Sequence, residues 1–233
     1  MARRTKAEAL QTRHKLLDAA ETVFLRQGVS RTSLAEIATE AGATRGAIYW
    51  HFKDKTDLFQ AMMERVIWPL EEALRLASEA QANGDNSLQR MCNLMQTALH
   101  KTVHDPKTRC VFEIALHKVE YTPELQALAQ RRLTVFQGMV AVTEQALTQV
   151  ALLRQQALPM PAHAAALGLH MLVDGLINLW LLDPQGFDLE TTGAQAIENY
   201  LRGLGLHNYT ASSSTSNSNV ALGGITPPAP RAP

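Results

Sequence analysis

Hydrophobic residues recur three and four positions apart along nearly the whole chain, which is the spacing of amphipathic helices. The first such run contains Leu16, Ala20 and Phe24 and stops at Gly28. Further runs follow to about residue 204, separated by turn-forming residues such as Pro, Gly and Asp. No stretch of the sequence alternates convincingly between polar and apolar residues as a strand does. The pattern predicts an all-α protein.

Six helices are predicted after residue 53. The first begins in a capping-box-like sequence and should kink or break near Trp68, because Pro69 removes a backbone donor and clashes with the previous turn. The others are expected at residues 88–104, 107–117, 123–155, 161–182 and 191–204. We therefore predict an N-terminal three-helix domain at residues 1–53 and a second helical domain at residues 54–206.

The C-terminal residues 207–233 are rich in Ser, Asn, Gly and Pro and carry a single charge, at Arg231. Such a segment cannot bury enough apolar surface to offset its ordering entropy. The sequence therefore predicts a disordered tail.

The segment TSLAEIATEAGATRGAIYWHFKDK has the pattern of two short helices separated by Gly42. Small and apolar residues share one face of the first helix, and Gly42 supplies the positive-φ position that ends it. Thr44 can cap the second helix, which places Arg45 and Tyr49 on a different side from Ile48. This is the pattern of a helix-turn-helix motif whose second helix enters a DNA major groove.

Base-edge contacts are assigned to the second helix of this motif. Arg45 is best placed to reach guanine N7 and O6, and Gly46 lets the backbone approach the bases. Tyr49 is predicted to face DNA, whereas Trp50 is predicted to pack in the core. The expected DNA-contacting residues are Thr32, Ser33, Thr44, Arg45, Gly46, Tyr49, His51, Lys53 and Lys55.

Phosphate contacts are assigned to the edges of the motif. Thr32 and Ser33 lie at the amino end of its first helix, where hydroxyls and backbone donors can hold a phosphate. Lys53 and Lys55 flank the groove as point charges. One recognition helix contacts only a few base pairs, so adequate specificity requires a dimer on an inverted repeat.

The sequence resembles the TetR family of bacterial transcriptional repressors, and most closely its AcrR-like branch. The resemblance rests on MARRTKAEALQTRHKLLDAA, GVSRTSLAEIA and AGATRGAIYWHFKDKTDLF, and more loosely on FEIALHKVEY and VDGLINLWLLDPQGFDL. It implies a dimeric repressor of a multidrug efflux operon, released from double-stranded operator DNA by a bulky hydrophobic or aromatic ligand. It also implies that the second domain forms both the ligand cavity and the dimer bundle.

Composition agrees with a DNA partner at one end of the chain. Residues 1–65 contain 11 Lys and Arg against 8 Asp and Glu, whereas residues 66–233 contain 11 against 14. A basic amino-terminal section suits a polyanion, although a solvated helix face is an equal explanation of the charge alone. Two cysteines without a CxxC motif, no secretory signal and no uninterrupted apolar span favour a cytoplasmic protein that requires no membrane.

The helix predicted at residues 161–182 has two distinct faces. One carries a smooth apolar stripe that suits a dimer seam, and its members are Gly168, Leu172, Gly175, Leu179 and Leu182. The other face carries His170, Asp174 and Asn178 at steps of four residues. A carboxylate on an apolar face requires a partner, so Asp174 either forms a hydrogen bond within the chain or faces a ligand.

The family resemblance implies a ligand cavity inside this domain. The matching positions are Met91, Leu94, Met95, Phe112, Leu116, Phe136, Met139, His170, Val173, Asp174, Ile177 and Asn178. Each position taken alone is more often explained by ordinary core packing than by ligand contact. Phe112 and Leu116 are apolar where other branch members carry polar side chains. An apolar, partly aromatic ligand with a hydrogen-bond donor facing Asp174 is therefore expected.

Other functions have weaker support in the sequence. His100 and His104 are four residues apart, but no carboxylate or cysteine completes a metal-ligand set nearby, so no metal and no cofactor are expected. Cys92 and Cys110 could form a redox switch, although buried structural thiols are commoner. The motifs HExxH and GxSxG and a phosphate-binding loop are absent from the sequence, which argues against an enzyme. A DNA-binding adaptor controlled by a protein partner through the tail is the main alternative.

Overall fold

The computed structural model describes residues 6–66, 87–120 and 122–207, and these ranges contain helices and no strand. In chain order the helices are α1 (Lys6–Gln27), α2 (Leu34–Glu40), α3 (Arg45–His51), α4 (residues 55–66), α5 (Ser87–His104), α6 (Pro106–His117), α7 (Gln126–Leu153, after the 3-10 turn Pro123–Leu125), α8 (Ala162–Leu182) and α9 (Leu189–Gly203). The all-α prediction is confirmed for this part of the chain. The predicted kink near Trp68 and the predicted tail lie outside it.

The amino-terminal helices α1 to α3 pack around one apolar cluster. Leu16 and Phe24 of α1, Ile37 of α2 and Ile48 of α3 have no exposed surface. Backbone geometry makes this packing possible, because Gly28 after α1 has a φ of +83° and the glycine after α2 likewise has a positive φ. Side chains of α4 complete the cluster, so this core extends beyond the predicted boundary at residue 53.

The body of the protein is a second cluster formed by α5, α7, α8 and α9. Its buried members include Leu99 of α5, Leu147 of α7, Leu169 of α8 and Ile197 of α9. The helix α8 is long and apolar enough to cross a membrane by length and composition alone. Within the described residues, its buried side packs against α5, α6, α7 and α9.

The helix α6 connects the two clusters. Val111 and Ile114 pack in the amino-terminal cluster, whereas Phe112 contacts both clusters. The carbonyl after the end of α6, that of Lys118, accepts a hydrogen bond from the backbone N–H of Val29 at 2.9 Å. The amino-terminal domain is therefore attached to the body by direct packing as well as by the chain connection through α4.

Candidate DNA-binding surface and ligand cavity

The helix α3 presents a polar face to solvent. Thr44 caps it, because its hydroxyl accepts a hydrogen bond from the backbone N–H of Ala47 at 3.2 Å. Arg45 and Tyr49 are exposed side by side, and the guanidinium carbon lies 5.9 Å from the centre of the tyrosine ring. Ile48 is buried on the opposite side. The arrangement agrees with the predicted division of the helix into a core face and an outer face.

Trp50 belongs to the outer face, and the prediction that it packs in the core is wrong. Its surface is 72% exposed, against 50% for Tyr49. The reason is angular: two residues correspond to about 200° of helix rotation, so Trp50 points away from buried Ile48. The indole instead contacts the His51 ring edge-on, with centroids 4.5 Å apart. His51 is half-buried, and the outer face is more aromatic than predicted.

The amino end of α2 differs from the predicted phosphate site. Thr32 is only 3% exposed, and its hydroxyl donates to the Gly28 carbonyl at 2.7 Å, so this hydroxyl does not face a phosphate. Ser33 is exposed but forms a capping box, in which its backbone N–H and its hydroxyl both donate to the Glu36 carboxylate. The Glu36 carboxylate therefore lies at the amino end of α2, where the helix dipole favours a negative charge and where a phosphate was predicted to bind. Both residues therefore stabilise the local fold.

The two lysines after α3 also have different environments. Lys53 is exposed, as expected of a cation that flanks the groove. Lys55 instead donates from Nζ to the Ser30 carbonyl at 2.8 Å and holds the start of α4 against the α1–α2 connection. Gly46 is exposed, and a methyl group at its Cα would meet no atom within 4 Å. Internal packing therefore does not require glycine at this position.

A cavity of about 250 Å³ lies between α4, α5, α6, α7 and α8. Eleven of the twelve predicted ligand positions line it: Met91, Leu94, Met95, Phe112, Leu116, Phe136, Met139, His170, Val173, Asp174 and Ile177. Apolar side chains form most of its surface, and a few polar groups converge on it. This composition is typical of small-molecule sites.

Asn178 is the predicted position that does not line the cavity. Its side-chain oxygen lies 2.9 Å from Nε2 of His117, so this amide links α8 to the end of α6. His170, by contrast, reaches both the cavity and Thr143 of α7, whose hydroxyl is 2.9 Å from Nε2. Burial lowers the pKa of His170 and favours the neutral ring.

Asp174 is the polar centre of the cavity. The side chain is half-buried, and burial raises its pKa, while the Arg132 guanidinium opposes part of the rise. Among the residues described, none donates a hydrogen bond to this carboxylate, although His170 and Asn178 were both expected candidates. A donor supplied by a ligand would satisfy it.

Two walls of the cavity were missed by the sequence reasoning. One comes from α4 and the other from the first turns of α7; their members are Phe59, Gln60, Met63, Glu64, Leu128, Arg131, Arg132 and Val135. Glu64 and Arg131 form an ion pair between these walls at 2.9 Å. The sequence does show that Glu64 and Arg131 are charged residues among apolar ones, which could have indicated these walls. It does not show that the two side chains pair, because that contact depends on how α4 and α7 pack.

The apolar stripe of α8 is exposed, but its composition differs from the prediction. Gly175, Leu179 and Leu182 are exposed as predicted. Leu172 is half-buried in the body cluster, and Gly168 packs within the chain, because a methyl group there would collide with the Tyr200 hydroxyl of α9. The stripe is completed by two other residues, so that its members are Leu167, Met171, Gly175, Leu179 and Leu182.

The two cysteines are poorly suited to a redox switch. Burial raises the pKa of the Cys92 thiol to about 12 and that of Cys110 to about 11. Thiolates are the reactive form of cysteine, so burial disfavours the reactive form of both side chains at neutral pH. His100 and His104 of α5, in contrast, lie beside a carboxylate, that of Glu190 in α9. The prediction that no carboxylate accompanies these histidines is therefore wrong.

Two family profiles together cover most of the chain. "Bacterial regulatory proteins, tetR family" matches residues 16–62, and "MAATS-type transcriptional repressor, C-terminal region" matches residues 86–206. A surface helix-turn-helix attached to a helical body of this kind defines a DNA-binding transcriptional regulator. The chain belongs to the TetR family, within its AcrR-like branch, which confirms the resemblance seen in the sequence.

Individual relatives agree with this placement. The transcriptional regulator AcrR from Shigella flexneri is 39% identical over 194 residues, which cover 82% of this chain and 87% of that protein. NalD, a secondary repressor of the MexAB-OprM multidrug efflux pump in Pseudomonas aeruginosa, is 34% identical, with a TM-score of 0.75 over 85% of this chain and 98% of NalD. SmeT in complex with triclosan is 30% identical, with a TM-score of 0.72 over 82% and 90% of the two chains.

Proposed function

We propose that this protein is a dimeric cytoplasmic repressor that binds an inverted-repeat operator of a multidrug efflux operon and is released by a compact aromatic ligand. The observation that carries the proposal is the position of α6. Its residue Phe112 lines the cavity and contacts the core that supports α3. Efflux control is inferred from relatives such as NalD, which represses an efflux pump.

Operator recognition is assigned to the outer face of α3. The Arg45 guanidinium supplies two parallel donors for guanine O6 and N7, and its position over the Tyr49 ring limits its freedom before DNA binds. Tyr49 and Trp50 offer large exposed rings with a polar N–H or O–H for sugar and phosphate contacts. Exposed Lys53 contributes an ionic phosphate contact. Thr32, Ser33 and Lys55 are not assigned direct contacts.

Dimerisation is assigned to the exposed stripe of α8. Leu179 is 54% exposed and Leu182 is 65% exposed, which is unusual for large apolar side chains that are contiguous along a helix. Gly175 lies between them and Met171, and its lack of a side chain lets a partner helix approach closely. Two chains joined in this way would carry two α3 helices, as an inverted repeat requires.

The effector is expected to be small and mostly apolar. A volume of about 250 Å³ lies just below the usual range for drug-sized ligands, and the methionines that line the cavity can rearrange. SmeT has been solved with triclosan, a compound of the expected kind. Asp174 should select ligands that carry a hydroxyl or amine donor, because its carboxylate lacks a donor within the described residues.

Release from DNA requires a ligand that binds more tightly to a conformation with wrongly spaced recognition helices. Two described elements are suited to carry this change. The Glu64–Arg131 ion pair ties α4 to α7 at the cavity wall, so a ligand that displaces either side chain loosens α4. Phe112 of α6 transmits displacement directly to the amino-terminal core.

Fluorescence anisotropy on DNA from upstream of the gene tests operator binding. Arg45→Ala should weaken specific binding roughly 5- to 150-fold, the equivalent of 1–3 kcal/mol. Arg202→Ala, which removes an exposed arginine from α9, serves as the control for loss of charge alone. Equal binding by wild type and Arg45→Ala would refute the assignment of α3.

Ligand response is tested in the same assay with triclosan and related phenols. Release by the ligand in a chain truncated after residue 207 supports the proposed function. Retention of DNA binding with every ligand, together with loss of regulation on truncation, would favour the alternative of a protein partner that acts through the tail.

A further inference from the structure

The carboxyl end of α5 and the amino end of α9 bring two histidines and one glutamate together. His100 Nδ1 lies 2.9 Å from one Glu190 oxygen, and His104 Nε2 lies 2.5 Å from the other. The two imidazole centroids are 4.4 Å apart, and the candidate ligand atoms all lie within 4.8 Å of one another. Glu190 is 86 residues from His104 in the sequence, so the local sequence around the two histidines does not reveal this carboxylate.

We propose that His100, His104 and Glu190 form a binding site for a divalent transition-metal ion, with Zn²⁺ as the preferred ion. Two imidazole nitrogens and one carboxylate oxygen are a common zinc donor set, with a fourth position left for water. Around tetrahedral Zn²⁺ the ligand atoms are about 3.3 Å apart, given bonds of about 2.0–2.1 Å. Small rotations of exposed side chains convert the observed spacing into this arrangement.

An ordinary ion pair explains this cluster less well. Elsewhere in the described chain, His163 Nδ1 pairs with a single carboxylate, that of Glu144, at 2.8 Å, which shows that one imidazole is sufficient for such a contact. Here two imidazoles converge on one carboxylate. A single metal ion can accept one nitrogen from each ring and an oxygen from the carboxylate at the same time, which accounts for the convergence of all three side chains.

The helices beneath the cluster are held closely together. Gly193 of α9 packs against Leu99 of α5, and a methyl group at Gly193 would collide with that leucine. Leu99 is adjacent to His100, and Gly193 lies one turn after Glu190. The backbone positions of the three ligands are therefore fixed by buried packing, as metal sites require of their scaffold. Metal binding would join α5, a wall of the cavity, to α9.

Zinc titration of the full-length, chelator-treated protein tests the site. Isothermal calorimetry should show one Zn²⁺ per chain, and His100→Ala or His104→Ala should raise the dissociation constant by at least about tenfold. Glu190→Gln, which keeps the shape of the side chain, should weaken binding in the same direction. His163→Ala is the matched control, because it removes an exposed histidine from a pair with a single carboxylate, and it should not change the affinity.

Cobalt provides a second readout that does not depend on stability. Co²⁺ in the wild-type protein should develop visible absorption bands from imidazole coordination, and the His104→Gln variant should lose them while it retains the wild-type circular dichroism spectrum. The proposal is overturned if about 100 µM Zn²⁺ produces no binding, because a site with three protein ligands should be occupied at that concentration. It is also overturned if the His100→Ala/His104→Ala double variant binds Zn²⁺ as tightly as wild type.

Discussion

Replacement of Asp174 by Asn should make the protein more stable in the absence of ligand. The wild-type carboxylate is half-buried in an apolar cavity, and no described residue donates a hydrogen bond to it. An amide has nearly the same shape but carries no charge, so it loses less hydration on folding. The substitution therefore removes an unfavourable burial while it leaves the packing of α8 unchanged.

The size of the effect follows from the environment of Asp174. A fully buried polar group without a partner costs about 1–3 kcal/mol. Solvent reaches part of this side chain, and the positive charge of Arg132 offsets part of the cost, so the lower end applies. We expect the free energy of unfolding to rise by about 1 kcal/mol, or the midpoint temperature to rise by about 2–4 °C for a chain of this length.

The pH dependence gives this prediction a second, independent part. Burial raises the folded-state pKa of Asp174 above the ordinary value of 3.8, so the folded protein binds this proton more tightly than the unfolded chain does. The cost of the carboxylate is therefore fully present above the folded-state pKa and disappears as the pH falls towards 3.8. The advantage of Asp174→Asn should be greatest near pH 8 and should decline under acidic conditions.

Thermal unfolding of wild type and Asp174→Asn at a series of pH values, at one protein concentration, tests both parts. Glu198→Gln is the control, since the ion pair of that exposed carboxylate with Arg202, four residues away, should contribute no more than about 0.5 kcal/mol. A variant less stable than wild type near pH 8 would mean that the carboxylate is held by a favourable contact. A constant difference across the pH series would contradict the raised pKa.

Three further predictions concern packing and reactivity. Gly168→Ala should lower the free energy of unfolding by about 1–3 kcal/mol, because the added methyl group collides with the Tyr200 hydroxyl. Gly175→Ala should preserve the free energy of unfolding and weaken self-association instead. Denaturant unfolding measures the first effect, and sedimentation measures the second. Trp50→Ala should reduce operator affinity without changing the unfolding midpoint, and a large drop in stability would contradict its exposed position. Cys92, with a pKa of about 12, should resist alkylation near pH 8 in the folded protein, so rapid labelling detected by mass spectrometry would refute its burial.

Much of the fold was predictable from the sequence, because helical periodicity is a strong local signal. The predicted helix at residues 88–104 corresponds to Ser87–His104, and the positive-φ glycine after α2 is where the sequence placed it. The capping role of Thr44 was also predicted correctly. These features depend on a few consecutive residues, so neighbouring positions contain the information needed.

The errors arose where a residue's environment depends on distant segments. Gly168 looked available for a second subunit because the approach of Tyr200 from α9 is not visible in the local pattern. Lys55 looked like a phosphate contact because its bond to the Ser30 carbonyl crosses 25 positions of sequence. Trp50 is different, since its angular separation from Ile48 was available in the sequence and outweighs the general tendency of aromatic residues to be buried.

Phe112 has a consequence for how proteins of this kind acquire new specificities. It lines the cavity and supports the amino-terminal core, so under the proposed function a substitution here that changes the inducer range should also change promoter occupancy in the absence of inducer. Met95 and Val173 line the same cavity but belong to the body cluster alone. A biosensor library that varies those two positions and retains Phe112 should separate changes of inducer range from changes of background expression.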